Sequence, residues 1–291
     1  MAFAVIAVMI AACGSQAQTT LWPLGDSITY GEGVPGGYRD PLFVRLGVDR
    51  FGGTNGFRFV GTCVINPSPT LTAAAQTRHE GHRGYRIDQI STNLDGSDNS
   101  TVYDDTNHGG YWLTGGPGGT LVPSTDVILL MIGTNDFLQN RDLAHATDRL
   151  AALVGKLTTL RPTANVLVAN IPPLSTSIYG SHDVSAFNES IPGVVKTYAD
   201  AGKHVWFVDQ YSNFFDSGGD LRYLQGDGTH PDADGYRAMA DTWGQALQAL
   251  PEPNMPMLAA SVLAGLAGGR GRRKRSPSAP WLARVDGRPA N

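Results

Sequence analysis

The sequence predicts an α/β domain in which helices cover both faces of a mainly parallel sheet, a three-layer α/β/α sandwich. Apolar runs alternate with helical stretches along the chain, which is typical of strands joined by crossover helices. Residues 126–132 are almost continuously apolar, as expected of a strand covered on both faces. With 41% hydrophobic and 16% charged residues, the composition is that of a globular chain with a sizeable core.

The two ends of the 291-residue chain are predicted to lie outside this domain, which we place at residues 18–250. Residues 1–17 combine an apolar run with small residues suited to cleavage, as in a signal peptide, although a buried strand or helix stays open. The run that ends at Cys13 also resembles a lipoprotein cleavage box. Residues 251–275 join Pro-Glu-Pro, an apolar stretch and a basic cluster, and residues 276–291 are expected to be a disordered extension.

Charge is distributed unevenly along the chain. Residues 270–291 carry a net charge of +6, so the overall value of −4 leaves −10 for the remainder. An acidic body argues against nucleic acid as a partner, because phosphate binding needs a basic surface. Two cysteines make no disulfide framework, and Cys63 is expected to be a small buried hydrophobic side chain.

The elements follow from apolar runs and helical spacing. Helix 144–160 has leucines at helical spacing, and Pro192 is expected to kink or break the helix of residues 184–201. The predicted strands are 21–24, 57–65, 126–132, 165–171 and 204–208, and the other predicted helices are 41–51 and 233–250. Residues 91–122 are predicted to be a loop, and a loop of this length is more often functional or mobile than neutral. Its acidic residues lack the spacing of a calcium loop, so we favour a solvated turn.

Polar, glycine-marked stretches follow several of these elements. Ser27 follows the first strand, and Asn135 follows the strand 126–132. Asp227 and His230 precede the closing helix, and Gly84 lies between the second and third strands. Because the segments after parallel strands project to one edge of the sheet, these residues are expected to meet. They supply a hydroxyl nucleophile, an imidazole base, a carboxylate that orients the base, and neutral donors, which are the groups that acyl transfer needs.

This ordered set resembles the SGNH (GDSL) hydrolase family. The blocks that carry the resemblance are Gly25-Asp26-Ser27-Ile28-Thr29, Gly84, Gly133-Thr134-Asn135-Asp136 and Asp227-Gly228-Thr229-His230. The resemblance implies a flavodoxin-like SGNH fold, a Ser27–His230–Asp227 triad, and no cofactor or metal. It also implies an oxyanion hole built from the backbone N–H groups of Ser27 and Gly84 and the side-chain amide of Asn135.

Within this family the chain looks most like the family 3 acetylxylan esterases. The stretches that carry this likeness are residues 31–39 and 79–85. The resemblance implies a secreted esterase that removes acetyl groups from xylan or another polysaccharide. We assign Asp26, Gly133, Tyr111 and Trp112 to substrate binding, and the aromatic rings, with that of Tyr103, could stack on sugars or could equally be packing.

Other interpretations stay open at this point. The rival enzyme is a lipase, lysophospholipase or thioesterase of the same family, and the rival of another class is a non-catalytic carbohydrate-binding or matrix protein. Asn135 and Asp136 could only cap a helix, and His230 could be a surface residue. His79 and His82 could pair on a metal, but no third ligand has a fitting spacing. Arg39, Arg83 and Arg86 are expected to be solvated or to face the substrate.

The C-terminal segment resembles the PEP-CTERM sorting signal of Gram-negative bacteria. The resemblance implies passage through the inner membrane, processing by an exosortase-type enzyme, and a location in the periplasm, at the cell surface or in the extracellular matrix. The sixteen residues after the basic cluster depart from the family pattern, which usually stops there.

Overall fold

The computed structural model describes residues 18–49, 56–96, 110–116, 121–180 and 183–251. The predicted signal peptide, the sorting segment from residue 252 onward and Tyr103 therefore lie outside the described residues. The chain divides into two units, Met1–Ala249 and Leu250–Asn291, and the fold below is that of the first.

One sheet organises the described part of the chain, and all of its ladders are parallel. Its strands are β1 (Thr19–Gly25), β2 (Phe57–Phe59), β3 (Glu80–Gly81), β4 (Val127–Met131), β5 (Asn165–Ala169) and β6 (Val205–Val208). The spatial order is β2-β1-β4-β5-β6, and β3 also pairs with β1 beyond the end of β2. The predicted parallel sheet is confirmed.

The helices between the strands supply the two outer layers. They are α1 (Ser27–Tyr30), α2 (Arg39–Asp49), α3 (Pro69–Ala73), α4 (Ile87–Asp95), α5 (Thr134–Leu138), α6 (Ala146–Leu160), α7 (Thr176–Tyr179), α8 (Ser185–Asp200) and α9 (Ala233–Ala249). Helices α2 and α9 pack on each other, and α6 packs against both α4 and α8. Every residue of β4 is buried, as a strand between two helical layers must be. The α/β/α architecture therefore agrees with the prediction.

Three elements differ from the sequence-based expectation. Strand β2 ends at Phe59 instead of continuing to residue 65, and Cys63 forms an isolated antiparallel bridge with His79. Helix α4 occupies the first residues of the predicted loop, because Ile87, Ile90 and Leu94 form a buried stripe that the polar residues between them concealed. Helix α8 continues through Pro192, so of the two effects expected of this proline the break does not occur.

The remaining expectations for these elements hold. Strands β1, β4, β5 and β6 and helices α2, α6 and α9 lie where the apolar patterns placed them, within a few residues at each end. Cys63 is fully buried, as predicted. In the described ranges no helix is both long enough and apolar enough to cross a membrane.

Candidate active site

Three strand ends lie side by side at the carboxyl edge of the sheet. Gly25 at the end of β1 is in register with Gly81 on β3 and with Met131 on β4. The polar turns that follow these strands therefore start at the same level. This register brings together segments that are separated by more than 100 residues in the sequence.

The turn after β1 needs both its glycine and its aspartate. A Cβ on Gly25 would lie 2.2 Å from the Met131 carbonyl oxygen, so only glycine fits beside β4. Asp26 caps α1, since its Oδ1 accepts the N–H of Ile28 at 3.0 Å. Burial raises the pKa of the Asp26 carboxyl to about 6. Ser27, the first residue of α1, keeps 7% of its surface exposed.

A continuous hydrogen-bonded chain joins Ser27, His230 and Asp227. The Ser27 hydroxyl lies 2.8 Å from His230 Nε2, and His230 Nδ1 lies 2.6 Å from Asp227 Oδ2. The carboxylate binds Nδ1–H, so Nε2 is left as the acceptor for the serine proton. The predicted triad residues meet in the order that a serine hydrolase uses, and His230 is not an isolated surface histidine.

Backbone N–H groups of the Asp227–His230 turn bind the Asp227 carboxylate. Asp227 Oδ1 accepts the backbone N–H groups of Thr229 at 2.9 Å and His230 at 3.0 Å. Desolvation acts to raise the pKa of Asp227, but the hydrogen bonds from the His230 ring and these two N–H groups outweigh it, so the pKa stays below its ordinary value. The carboxylate is therefore ionised at neutral pH and orients the imidazole.

The turns after β3 and β4 are joined by the predicted oxyanion residues. Gly84 has a positive φ of 76°, and its carbonyl accepts the side-chain amide of Gln139 at 2.8 Å. Asn135 Nδ2 donates one proton to the Tyr85 carbonyl at 2.9 Å. An amide nitrogen carries two protons, so Asn135 retains a second donor. The backbone bond at Tyr85 thus locks the orientation of the Asn135 side chain.

Helix α5 is anchored by Asp136, which is fully buried. Its carboxylate accepts the N–H of Ile87 at 3.0 Å and binds the Arg149 guanidinium at 2.9 Å. Burial raises the pKa of Asp136 against these two interactions. Asp136 joins α4, α5 and α6, whereas the residue at the N-cap of α5 is Gly133, which has no side chain. The interpretation of Asn135 and Asp136 as mere caps is therefore wrong.

The four residues that we assigned to substrate binding make packing or capping contacts within the domain. Trp112 is 0% exposed and stacks on His82, with the ring centroids 4.9 Å apart. Tyr111 packs beside Gly96, at the far end of α4 from the site. Asp26 is buried as a helix cap. Gly133 packs under the ring of Phe187, where a Cβ would approach to 2.8 Å. The sequence pattern could not separate aromatic residues of the core from those of a binding surface.

Two residues that sequence reasoning missed hold the catalytic turn in place. Gln225 Nε2 donates to the carbonyls of Glu32 and Pro231, each at 2.8 Å, and ties this turn to the segment after α1. The Tyr179 hydroxyl donates to the Asp227 carbonyl at 3.0 Å. Neither residue lies in a recognisable motif, and only their tertiary contacts reveal them.

The remaining histidine and arginine candidates have structural partners. His79 and His82 are both buried, and His82 hydrogen-bonds Glu80. Among the described residues no cluster of His, Cys, Asp or Glu is arranged to hold a metal ion. Arg39 is fully buried and donates to the carbonyls of Thr29 and Tyr30, so it is neither solvated nor in contact with substrate.

Arg83 and Arg86 lie closer to the surface. Arg83 pairs with Glu32 at the rim of the site, where both side chains are partly exposed. Arg86 binds Asp88 and Gln139.

Comparison with known proteins gives three informative similarities. Residues 24–238 match the GDSL-like Lipase/Acylhydrolase family. The chain is 31% identical over 241 residues to a multidomain esterase of Ruminococcus flavefaciens, over 78% of this chain and 28% of that protein. It is 34% identical over 118 residues to a putative endoglucanase X of Acetivibrio thermocellus, over 40% of this chain and 48% of that protein. The chain thus spans less than half of the length of either relative.

A solved structure shares both fold and sequence with the chain. The family 3 carbohydrate esterase of Clostridium thermocellum superposes with a TM-score of 0.57 at 28% identity. The alignment covers 87% of this chain and 100% of that one. The likeness therefore extends over most of this chain and over the full length of that esterase.

Proposed function

Because the chain belongs to the GDSL-like lipase/acylhydrolase family, we propose that it is a serine esterase that hydrolyses short-chain esters. The observation that carries the proposal is the hydrogen-bonded chain from Ser27 through His230 to Asp227. A serine hydroxyl is a weak nucleophile on its own, and an adjacent imidazole with an oriented tautomer is the usual means of activating it.

The reaction proceeds in two acyl-transfer steps. Ser27 Oγ attacks the ester carbonyl carbon while His230 Nε2 takes the hydroxyl proton. The imidazolium, stabilised by Asp227, then gives this proton to the leaving alcohol, and an acyl-serine remains. Water, activated by the same imidazole, hydrolyses the acyl-serine and releases the carboxylic acid.

Negative charge develops on the carbonyl oxygen in both steps. The backbone N–H groups of Ser27 and Gly84 and the second amide proton of Asn135 are the donors that we assign to it. Donors that are already oriented stabilise this charge without reorganisation, which is why such groups contribute strongly to catalysis. The bond from Asn135 to the Tyr85 carbonyl supplies that orientation here.

The substrate class that we propose is an acetylated polysaccharide. The likeness to the family 3 carbohydrate esterase supports a carbohydrate ester, and the likeness to the multidomain esterase supports ester hydrolysis. The rim next to the nucleophile is also polar, since Arg83 Nε lies 2.5 Å from Glu32 Oε2 with 44% and 29% of the two side chains exposed. A polar rim suits the hydroxyl groups of a sugar better than it suits a long acyl chain.

Acetate release tests the reaction and the substrate class together. We expect the protein to cleave p-nitrophenyl acetate and to release acetate from acetylated xylan, with much lower activity on p-nitrophenyl octanoate and on phospholipid. Ser27→Ala is expected to lower kcat by about 10⁴-fold or more. Equal rates on acetate and octanoate esters would favour the lipase or thioesterase alternative. If the wild-type protein cleaves no ester but binds xylan, the non-catalytic alternative replaces the proposal.

We also propose that the protein is exported and sorted through its two ends. The support is the sequence pattern of residues 1–17 and 251–275. Export through the inner membrane would bring the enzyme to polysaccharide outside the cytoplasm, and an exosortase-type enzyme would process the tail. Cell fractionation followed by mass spectrometry of both termini tests this proposal. A cytoplasmic protein with residues 1–17 intact would contradict it.

A further inference from the structure

We propose that Glu80 and His82 are positioning residues of the esterase, a buried carboxylate–imidazole pair that holds the oxyanion donors in place. The inference rests on the proposed function, because it concerns the same reaction. It assigns a role to two ionisable side chains that are both 0% exposed and that the acyl-transfer steps do not use. Ionisable groups are seldom fully buried unless they are paired.

Glu80 lies beside β1 and receives hydrogen bonds from three segments of the chain. Its Oε2 accepts the Thr62 N–H at 2.9 Å and the Trp22 Nε1–H at 3.3 Å. Its Oε1 accepts the Thr62 hydroxyl at 2.5 Å and the His82 Nε2–H at 2.8 Å. Four donors on one carboxylate satisfy its lone pairs, so its direction is fixed by bonds as well as by packing.

Two aromatic rings stack on the His82 imidazole, and its backbone is bonded to β1. Its ring stacks on Tyr85 at a centroid distance of 4.7 Å and on Trp112 at 4.9 Å, with interplanar angles of 23° and 7°. Its backbone N–H donates to the Gly25 carbonyl at 3.0 Å, directly before the nucleophile turn. The stacked rings and the bond to Glu80 together fix the orientation of the imidazole.

The turn that begins at His82 carries one of the assigned oxyanion donors, the Gly84 N–H, and contacts a second donor, the Asn135 amide. The His82 carbonyl accepts the N–H of Tyr85 at 3.2 Å, which closes a turn with Arg83 and Gly84 at its centre. The Tyr85 carbonyl in turn accepts the Asn135 amide at 2.9 Å. A displaced His82 would therefore move the Gly84 N–H and rotate the Asn135 amide together.

The use of a hydrogen-bonded polar pair at this place is informative. Desolvation of a carboxylate is costly, and apolar side chains of the same volume commonly stabilise a core as well or better. Hydrogen bonds, however, have a direction that apolar contacts lack. A misplacement of about 1 Å can cost about 10²-fold in rate, so a directional anchor next to the oxyanion turn is useful for catalysis even where it adds little to stability.

The first test separates positioning from stability. His82→Phe keeps the stacked ring and removes the bond to Glu80. We expect kcat on p-nitrophenyl acetate to fall about 10- to 100-fold with KM within about twofold. The control is Gln76→Leu, which breaks two buried hydrogen bonds to Phe57 and Phe59 of β2. In the described contacts Gln76 touches neither Glu80 nor the His82 turn. If His82→Phe and Gln76→Leu lower kcat equally at matched losses of unfolding free energy, the proposal is wrong.

A double-mutant cycle with Asn135→Ala tests the route of the effect. If His82 acts through the oxyanion donors, the combined loss in kcat is smaller than the product of the two single losses, because Asn135 no longer has an amide to misplace. Independent, multiplicative losses would overturn the proposal.

Trp112 gives a second discriminating measurement. If Trp112 supports His82, Trp112→Ala is expected to lower kcat by the same factor on p-nitrophenyl acetate and on acetylated xylan. A sugar-stacking tryptophan would instead raise KM on xylan alone, and that result would contradict the proposal.

Amide NMR tests the positioning role without an activity assay, so its result does not depend on the proposed function. In ¹⁵N-labelled protein, His82→Phe is expected to shift the Gly84 backbone amide and the Asn135 side-chain amide, whereas Gln76→Leu leaves them in place. Unchanged resonances would refute positioning even if the enzyme is active. If the wild-type protein cleaves no ester, the proposed function fails separately, and the shifts still show whether the pair holds the turn.

Discussion

At the scale of single residues, the site depends on the protonation states of its carboxyl and imidazole groups. Asp227 stays ionised because three hydrogen bonds outweigh its desolvation, whereas Asp26 is one residue from the nucleophile and has a raised pKa. Two carboxyl groups near one serine thus have opposite tendencies, and the difference comes from their partners. The role of each carboxyl group can be tested with a single substitution.

Asp227→Asn is expected to lower kcat on p-nitrophenyl acetate by about 10³- to 10⁴-fold. The Asn Oδ1 still accepts the Thr229 and His230 N–H groups, but its NH₂ faces His230 Nδ1. The imidazole proton then moves to Nε2, which can no longer accept the serine proton. Asp234→Asn is the matched control, because Asp234 is an exposed residue of α9 that pairs with Arg237. A loss of less than tenfold for Asp227→Asn would contradict the tautomer argument.

Asp26→Asn is expected to change the pH dependence of stability. The pKa of Asp26 is about 6 in the folded protein and about 3.8 in the unfolded chain, so folding favours the protonated form. This contribution to stability is fully present below pH 3.8 and is lost as the pH rises through 6. The asparagine variant lacks it and keeps an oxygen that can cap α1.

Urea unfolding of wild type and Asp26→Asn between pH 4 and pH 8 measures this effect. We expect the unfolding free energy of the variant, relative to wild type, to increase over this range by on the order of 2–3 kcal/mol. A difference that does not change with pH would mean that Asp26 titrates alike in the folded and unfolded states.

At the scale of elements, the site depends on close contact between strand ends and the short helix α1. Gly81 packs directly under this helix, since a Cβ there would lie 2.3 Å from the Tyr30 nitrogen. Backbone cannot move aside as a flexible side chain can. The nucleophile helix and the strand that leads to the oxyanion turn are therefore in backbone contact.

Gly81→Ala is expected to lower the unfolding free energy by about 2 kcal/mol or more, through overpacking against backbone. Gly193→Ala in α8 is the matched control, because a Cβ there meets no atom within 4 Å. It is expected to raise stability by about 0.5–1 kcal/mol through the helix propensity of alanine. Urea denaturation of both variants measures the contrast, and equal effects would refute the packing argument.

At the scale of the whole molecule, the described site belongs to one domain. The contacts that hold the triad, the oxyanion turn and the catalytic turn join residues between Trp22 and Tyr236. A region of net positive charge lies outside these residues, since residues 270–291 carry a net charge of +6. Catalysis on a small ester and sorting of the chain are therefore expected to be separable.

A variant that ends at Pro251 tests this separation. We expect its kcat/KM on p-nitrophenyl acetate to stay within about twofold of the full chain, since the contacts described for the triad and the oxyanion turn join residues between Trp22 and Tyr236. Its distribution between membrane and soluble fractions is expected to change. A tenfold loss of kcat/KM would place part of the site in the tail.

Much of the fold and of the candidate site could be predicted from the sequence. Strand β4 is a continuous apolar run, and α6 has leucines at helical spacing, so local patterns identify both. Ser27, Asp227 and His230 lie in short motifs after such elements. Their meeting follows from parallel strands, because the carboxyl ends of such strands share one edge of the sheet.

Only the tertiary structure decided which polar and aromatic residues serve the site. Trp112 looks like a sugar-stacking ring in the sequence and Glu80 has no assigned role there, yet both are buried around His82. Gln225 and Tyr179 hold the catalytic turn without any motif. The physical reason is that strand and helix periods are set by neighbouring residues, whereas the partner of a buried polar group comes from a segment distant in the chain. The sequence by itself therefore determined the architecture and the candidate nucleophile, and the packing determined the residues that support them.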